Sequence, residues 1–85
     1  MEFNYAKSFK KTYKKLSFTI QKKVEERLAI FIKDEFNPIL GNHKLHGEYI
    51  DCRSINITAD IRIIYQKRSN DYLLKEIGTH AELYE

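Results

Sequence analysis

The only proline of this chain, Pro38, separates two stretches with different apolar periodicity. Before it, Phe9, Tyr13 and Leu16 recur at the i, i+4 and i+7 spacing that marks one face of a helix. Proline cannot continue a helical hydrogen-bond ladder, and it disfavours helical geometry in the residue before it. Any helix that approaches Asn37 must therefore end there.

A second helix is predicted between the first one and Pro38. Ser17 is its candidate N-cap, because a serine hydroxyl accepts a hydrogen bond from an unpaired N–H of the first turn. Its buried stripe is predicted to contain Ile20, Val24, Leu28, Phe31, Ile32 and Phe36, with charged residues on the other faces. A short strand is expected ahead of both helices, at residues 2–5.

Strand patterns dominate the chain after a loop at residues 38–47. Residues 49–57 and 61–65 are rich in Ile and Tyr, residues 71–77 contain another apolar run, and the bridging segments have hairpin lengths. The predicted order is β-α-α-β-β-β. This is an α+β fold in which two helices pack on a mainly antiparallel four-stranded sheet, with the other sheet face partly open to a ligand.

Composition limits the classes of protein that this chain can belong to. Its 85 residues predict one domain with one core, and 42% apolar content with six tyrosines and five phenylalanines excludes disorder. No apolar run reaches membrane-spanning length and the opening residues lack signal-peptide features, so we expect a cytoplasmic protein. Cys52 is the single cysteine, and no metal-ligand spacing is present, so neither a disulfide within the chain nor a metal or other cofactor is expected.

Positive charge is concentrated near the N-terminus. Between Lys7 and Lys23 the chain has seven lysines and no acidic residue. Lysines in this density favour a polyanion such as RNA, or an acidic partner protein, although a solvated helix face is the alternative. The lysines predicted to contact such a partner, RNA or protein, are Lys10, Lys11, Lys14 and Lys15.

Two arginines interrupt the predicted sheet. Arg62 lies within an apolar strand, and alternation places it on the same face as Asp60 and Ile64. Arg53 lies on the preceding strand, so a hairpin that turns near residue 59 can bring the two arginines together as a cationic patch. The alternative is an arginine held in a salt bridge with Asp51 or Asp60.

Three histidines occur in segments that loops or strand ends can expose. His80 follows the last predicted strand, and His43 and His46 lie together in the loop before the strands. Imidazole exchanges protons near neutral pH, so these positions are candidates for general acid or base chemistry.

The C-terminal half resembles the RelE/ParE toxin superfamily. The resemblance rests on HKLHG at residues 43–47, on Arg53, on DIRIIY at residues 60–65 and on IGTHAELY at residues 77–84. The Gly-Thr-His-x-x-Leu-aromatic element is similar to the YafQ-like branch. This resemblance implies the toxin of a type II toxin-antitoxin system, a metal-independent and ribosome-dependent endoribonuclease. It would cleave messenger RNA by attack of a 2′-hydroxyl, inhibit translation, and be neutralised by a partner antitoxin.

The resemblance also implies roles for individual residues. His80 matches the general acid, and either His43 or Asp60 matches the base. Arg62 matches an arginine that stabilises phosphate charge. Two further residues, Tyr84 and Arg53, match RNA-binding positions, the first as an aromatic that stacks on a base.

The match has two departures and two competing interpretations. Asn56 stands where the branch has a histidine, and Ile61 where it has a tryptophan; Asn56 cannot carry a proton. One alternative is a ParE-like toxin that acts on DNA gyrase without cutting RNA, since one fold can serve both activities. The other is a simple nucleic-acid-binding module that uses the lysine-rich helices.

Overall fold

The computed structural model describes residues 2–84, and the predicted α+β class and the β-α-α-β-β-β core order are confirmed. Two additions, a short strand and a short C-terminal helix, were not predicted. The elements are β1 (Glu2–Tyr5), α1 (Lys7–Lys15), α2 (Phe18–Lys33), β2 (His43–Lys44), β3 (Arg53–Asn56), β4 (Ile61–Lys67), β5 (Asp71–Thr79) and α3 (His80–Tyr84). No helix among these is long and apolar enough to cross a membrane.

The sheet has five strands in the order β1-β5-β4-β3-β2, rather than the predicted four. The β1 strand runs parallel to β5, and the other neighbours are antiparallel. The additional strand, β2, lies in the segment that was predicted to be a loop. It has only two residues, which pair with Ser54 and Arg53, and so short a ladder leaves no alternating pattern in the sequence.

The strand predicted at residues 49–57 is shorter than expected. A 3₁₀ turn spans Gly47–Tyr49, and β3 begins only at Arg53. The backbone N–H of Ile50 donates to the carbonyl of Gly47 at 3.2 Å within this turn, and the N–H of Cys52 donates to the carbonyl of Tyr49 at 2.8 Å in the turn that follows. These backbone groups are used within the turns, so they are not available to a neighbouring strand. By contrast, β5 is longer than predicted and runs to Thr79.

The predicted cap of α2 is confirmed, but its predicted stripe is partly wrong. The Ser17 hydroxyl accepts a hydrogen bond of 3.2 Å from the N–H of Ile20. Ile32 and Phe36 are 65% and 58% exposed. Ile32 directly follows the buried Phe31, so the helical rotation of about 100° per residue turns it towards solvent. Phe36 lies beyond the end of the helix, in a turn in which its N–H bonds to the Asp34 carboxylate.

The main core lies between the helices and one face of the sheet. It contains Phe9, Val24, Leu28, Phe31, Leu40, Ile55, Ile57, Ile63, Tyr65, Leu74 and Ile77. A smaller cluster of Leu45, Cys52 and Ile64 covers part of the other face, which we call the open face. The open face predicted from the sequence is therefore present, and it is flanked by the β2 segment and α3.

α3 returns close to the open face at Gly78. A Cβ atom at this position would lie only 3.1 Å from Glu82 Oε1 and 3.5 Å from Leu83 Cδ2. A side chain here would require the Glu82 carboxylate to shift by a few tenths of an ångström, and this carboxylate is part of the start of α3. From this position α3 brings His80 and Tyr84 over the strands.

Candidate active site

A cavity of about 450 Å³ opens on the open face, between the β2 segment and α3. It is lined by His43, Lys44, Leu45, His46, Arg62, His80 and Tyr84. Five of the residues singled out from the sequence, the three histidines with Arg62 and Tyr84, therefore meet here from three separate parts of the chain. Imidazole, ammonium and guanidinium groups line this cavity, and no carboxylate within residues 2–84 lines it. The cavity therefore suits an anionic ligand.

Arg62 reaches the cavity from β4. It pairs across the sheet with Asn56 on one side and Gly78 on the other, and it is half-buried. Its Nη1 donates a hydrogen bond to Asn56 Oδ1, while its Nε is buried without a hydrogen-bond partner. None of the ion pairs within the described chain includes Arg62, so the alternative of a salt bridge with Asp51 or Asp60 is wrong.

His43 has one ring nitrogen fixed by the backbone. Its Nδ1 lies 3.0 Å from the carbonyl oxygen of Gly41. A carbonyl can only accept, so Nδ1 carries the hydrogen and Nε2 keeps its lone pair in the neutral ring. The exposed imidazole is thereby set in the tautomer that can take up a proton at Nε2.

Asn42 anchors the loop that carries His43. Its Nδ2 donates to the Tyr65 hydroxyl at 2.7 Å and to the Glu35 carbonyl at 3.1 Å. Its Oδ1 accepts from Arg53 Nε at 2.7 Å. The side chain preceding His43 in sequence is thus bonded to β3, to β4 and to the segment after α2.

Glu35 completes this anchor from the helix side. Its carboxylate accepts hydrogen bonds from the hydroxyls of Tyr65 at 2.7 Å and Tyr72 at 3.1 Å, and from Lys67 Nζ at 3.1 Å. Burial acts to raise the pKa of Glu35, but these hydrogen bonds outweigh it and hold that pKa below its ordinary value. The carboxylate therefore stays ionised and keeps three donors in place.

His80 is placed by the start of α3. The backbone N–H of Thr79 donates to Glu82 Oε1 at 2.7 Å, and the N–H of Glu82 donates to Thr79 Oγ1 at 3.1 Å. This reciprocal arrangement is a capping box, and the bond from the Thr79 backbone lowers the pKa of Glu82. His80 is exposed in the first turn, with its ring centroid 4.7 Å from that of Tyr84.

Tyr84 forms a wall of the cavity. Its ring packs against the small apolar cluster of the open face and meets Tyr49 edge-on at 6.4 Å between centroids. Its hydroxyl is buried and has no hydrogen-bond partner among the described residues. That Tyr84 stacks on a base of RNA remains a prediction.

Asp60 and Arg53 lie away from the cavity. Asp60 is exposed in the turn before β4, where its N–H lies 3.2 Å from Thr58 Oγ1. Arg53 pairs with Tyr65 and therefore faces the helices, with its guanidinium 5.2 Å from the centre of the Phe36 ring. The predicted cationic patch of Arg53 and Arg62 is wrong, because the register β3–β4 places them on opposite faces.

The four lysines singled out on α1 are exposed on the helix layer, also away from the cavity. Lys10 and Lys14 border a groove of about 310 Å³ between α1 and α2. Its other lining residues are Tyr5, Phe9, Tyr13, Val24, Glu25 and Leu28. Lys11 and Lys15 do not line this groove. The groove therefore has an apolar floor, and its charged lining residues are Lys10, Lys14 and Glu25.

Some site residues were not identified from the sequence. Lys44 lines the cavity, and its only local signal is that it shares a short loop with His43 and His46. The capping box is visible as Thr-x-x-Glu at residues 79–82, and it predicts a helix start beside His80. Contacts of Glu35 and Asn42 join distant segments and have no local signal.

Within residues 2–84 no group of three or more His, Cys, Asp or Glu side chains can hold a metal ion.

Comparison with known proteins identifies the family. The sequence model described as "Bacterial toxin of type II toxin-antitoxin system, YafQ" matches residues 1–85. Among curated proteins, no match was found. Similar solved structures include YafQ from E. coli strain BL21(DE3), with a TM-score of 0.80, 20% identity and coverage of 98% of this chain and 97% of that one.

Two further structures share this fold. The E. coli DinJ-YafQ complex contains a chain with a TM-score of 0.76 and 19% identity, covering 98% of this chain and 97% of that one. The YoeB/ParE toxin from Agrobacterium tumefaciens has a TM-score of 0.78 and 16% identity, covering 94% and 99%. The resemblance drawn from the sequence is confirmed, and this chain belongs to the YafQ family of toxins of type II toxin-antitoxin systems.

Proposed function

We propose that this toxin is a metal-independent endoribonuclease that cleaves messenger RNA on the ribosome and so inhibits translation. One observation carries the proposal: His43, Arg62 and His80 line one cavity. Cleavage of RNA by its own 2′-hydroxyl needs a base, an acid and a cation for the phosphate. These three side chains can supply the three functions together.

In the proposed reaction, His43 Nε2 removes the proton from the ribose 2′-hydroxyl. The oxygen then forms a bond to the adjacent phosphorus, and the bond from phosphorus to the 5′-oxygen of the next nucleotide breaks. Protonated His80 gives its proton to that leaving oxygen. The products are a 2′,3′-cyclic phosphate and a 5′-hydroxyl, so atoms, electrons and protons balance without an added reactant.

His43 is a better candidate for the base than Asp60. Its Nδ1 is engaged by the Gly41 carbonyl, which leaves Nε2 as the basic atom. Asp60 does not line the cavity and lies in the turn before β4. A base has to be within hydrogen-bond reach of the proton that it removes, and this favours the histidine.

Arg62 is proposed to stabilise the phosphorane. Its guanidinium is half-buried and has no ion-pair partner within residues 2–84, so its charge is not cancelled by a carboxylate. Negative charge on the phosphate oxygens grows during the attack, and a fixed cation stabilises that state more than the substrate. Tyr84 is the proposed contact with a base outside the reacting phosphate. Arg53 lies on the opposite face of the sheet, so we do not propose it as an RNA contact of this site.

We propose that a partner antitoxin neutralises this toxin, as the E. coli DinJ-YafQ complex is a toxin paired with an antitoxin. The groove between α1 and α2 suits an acidic amphipathic segment of such a partner. Its apolar floor would bury the apolar side of the segment, and Lys10 and Lys14 would meet the acidic side. On the ribosome, the same basic helix would contact RNA phosphates.

Expression of the toxin alone tests the proposed activity. We expect growth arrest with loss of translation and with cleaved messenger RNA whose upstream fragments end in a cyclic phosphate, while DNA gyrase stays active. The His80→Ala variant, expressed to the same level, is the control and should arrest growth weakly. Arrest with intact messenger RNA and with stalled gyrase-DNA complexes would contradict the proposal and indicate a ParE-like activity.

A further inference from the structure

The direction of the Arg62 guanidinium depends on one neighbouring side chain. Its Nη1 donates to Asn56 Oδ1, and within residues 2–84 this is its only side-chain hydrogen bond. The two residues are cross-strand partners on the open face. Asn56 does not line the cavity, so its contact with the site is made through Arg62.

The Asn56 amide also lies close to the backbone of Gly41. A Cβ atom at Gly41 would lie 3.3 Å from Asn56 Cγ and closer still to Nδ2. Gly41 also has a φ of +54°, a conformation that other residues adopt only with strain. The amide therefore lies between the bare backbone of Gly41 and the guanidinium of Arg62, with its oxygen towards the guanidinium because arginine has only donors.

Gly41 contacts a second member of the site as well. Its carbonyl accepts the hydrogen bond from His43 Nδ1 at 3.0 Å. The proposed base is thus oriented by the carbonyl of Gly41, and the proposed phosphate-binding arginine by the amide that packs on the same residue. One loop residue therefore contacts His43 directly and lies beside the amide that binds Arg62.

We propose that Asn56 is a positioning residue that orients the Arg62 guanidinium in the cavity while leaving its positive charge available for the phosphate. This inference rests on the proposed nuclease activity. An amide oxygen is neutral, so it holds one of the five N–H donors without pairing the charge. A carboxylate at this position would hold the same donor and compensate the charge, and an imidazole would lose its acceptor when protonated.

Single-turnover cleavage of ribosome-bound messenger RNA tests this role. Asn56→Ala should slow cleavage by about tenfold to a hundredfold, the effect of losing a hydrogen bond to a charged group. In an Arg62→Ala background, the same change should slow cleavage no further, because its effect passes through the arginine. Equal slowing in both backgrounds would show a general structural role and overturn the proposal.

Two further variants separate geometry from charge. Asn56→Asp keeps the shape and the acceptor, so it should keep Arg62 ordered and still slow cleavage; it also serves if Asn56→Ala does not fold. Asn56→His should be slower than the wild type. Cleavage by Asn56→His that is faster than the wild type would mean that this position carries a proton, and the positioning role would be wrong.

A measurement without RNA distinguishes failure of this inference from failure of the nuclease proposal. The Nε–H of Arg62 is buried, so it should exchange slowly and give a resolved ¹⁵N NMR signal. That signal should persist in Asn56→Asp and broaden in Asn56→Ala. A signal unchanged in Asn56→Ala overturns the positioning role. A wild-type protein that cleaves no RNA refutes the nuclease proposal, and the NMR result then decides the positioning alone.

Discussion

Replacement of His80 by alanine should separate chemistry from stability more cleanly than any other change in the cavity. The side chain is exposed in the first turn of α3, and its one aromatic contact among the described residues is the Tyr84 ring, 4.7 Å away between centroids. The capping box that starts the helix is made by Thr79 and Glu82, not by His80. The variant should therefore keep α3 in place.

The expected magnitudes differ widely for the two properties. Loss of an exposed side chain that holds no cap changes the free energy of unfolding by about 0.5 kcal/mol or less, which shifts the melting temperature of a domain this small by about 4 °C at most. Loss of a general acid slows the reaction by about 100-fold to 10,000-fold, or about 2.7 to 5.4 kcal/mol in activation free energy. Ribosome binding should change little, because the proton is transferred only in the transition state.

A modified substrate makes the assay specific for the acid role. Single-turnover cleavage is compared between a normal linkage and one in which sulfur replaces the leaving 5′-oxygen, since a thiolate leaves without being protonated. The sulfur substrate should restore the rate of His80→Ala but not that of His43→Ala. His46→Ala, which removes another exposed imidazole from the same cavity, is the matched control. Near-normal cleavage of the normal linkage by His80→Ala would remove this residue from the mechanism.

The remaining predictions concern the basic helix and acid stability. Changing Lys10 and Lys14 to Gln should weaken antitoxin binding more than changing Lys11 and Lys15 to Gln, because only the first pair borders the groove. The difference in affinity should be clearest at low salt, where charge screening is least. Equal losses of affinity for the two pairs in a binding titration would exclude the groove as the antitoxin-binding site. Hydrogen bonds from Arg68 and then Asn4 lower the pKa of Asp71 from 3.8 to about 2. The Asp71 carboxylate therefore contributes stability that is complete above about pH 4 and is lost as pH falls towards 2. The melting temperature of Asp71→Asn should therefore change less with pH in this range than that of the wild type. An equal dependence of the two melting temperatures on pH would refute the reasoning.

Local patterns in the sequence were sufficient for most of the fold. The i, i+4 spacing placed both main helices, and the Ser17 cap and the three longest strands after Pro38 lie close to where they were predicted. Each of these features depends on residues within a few positions of one another. Sequence patterns failed in two places. The strand β2 has only two residues, too few to show an alternating pattern. The predicted apolar stripe of α2 was continued to Phe36, beyond the last helical residue, Lys33.

The site was only partly predictable because it depends on register. His43, Arg62 and His80 were proposed from residue type and resemblance, and the structure brings them to one cavity. Arg53 was placed on the wrong face, since a change of one residue in the hairpin register reverses the face of every side chain in a strand. The buried contacts of Glu35 with Tyr65 and Tyr72 join residues more than 29 positions apart, which no local pattern encodes.

The pairing of the first strand with the last one has a consequence for synthesis of the toxin. Asn4 of β1 bonds to Asp71 at the start of β5, a residue 67 positions later, so this contact has a high contact order. While the nascent chain emerges, β1 has no partner and the sheet is incomplete until β5 leaves the exit tunnel. His80 follows β5 directly. A partly synthesised chain therefore has neither the complete sheet nor His80.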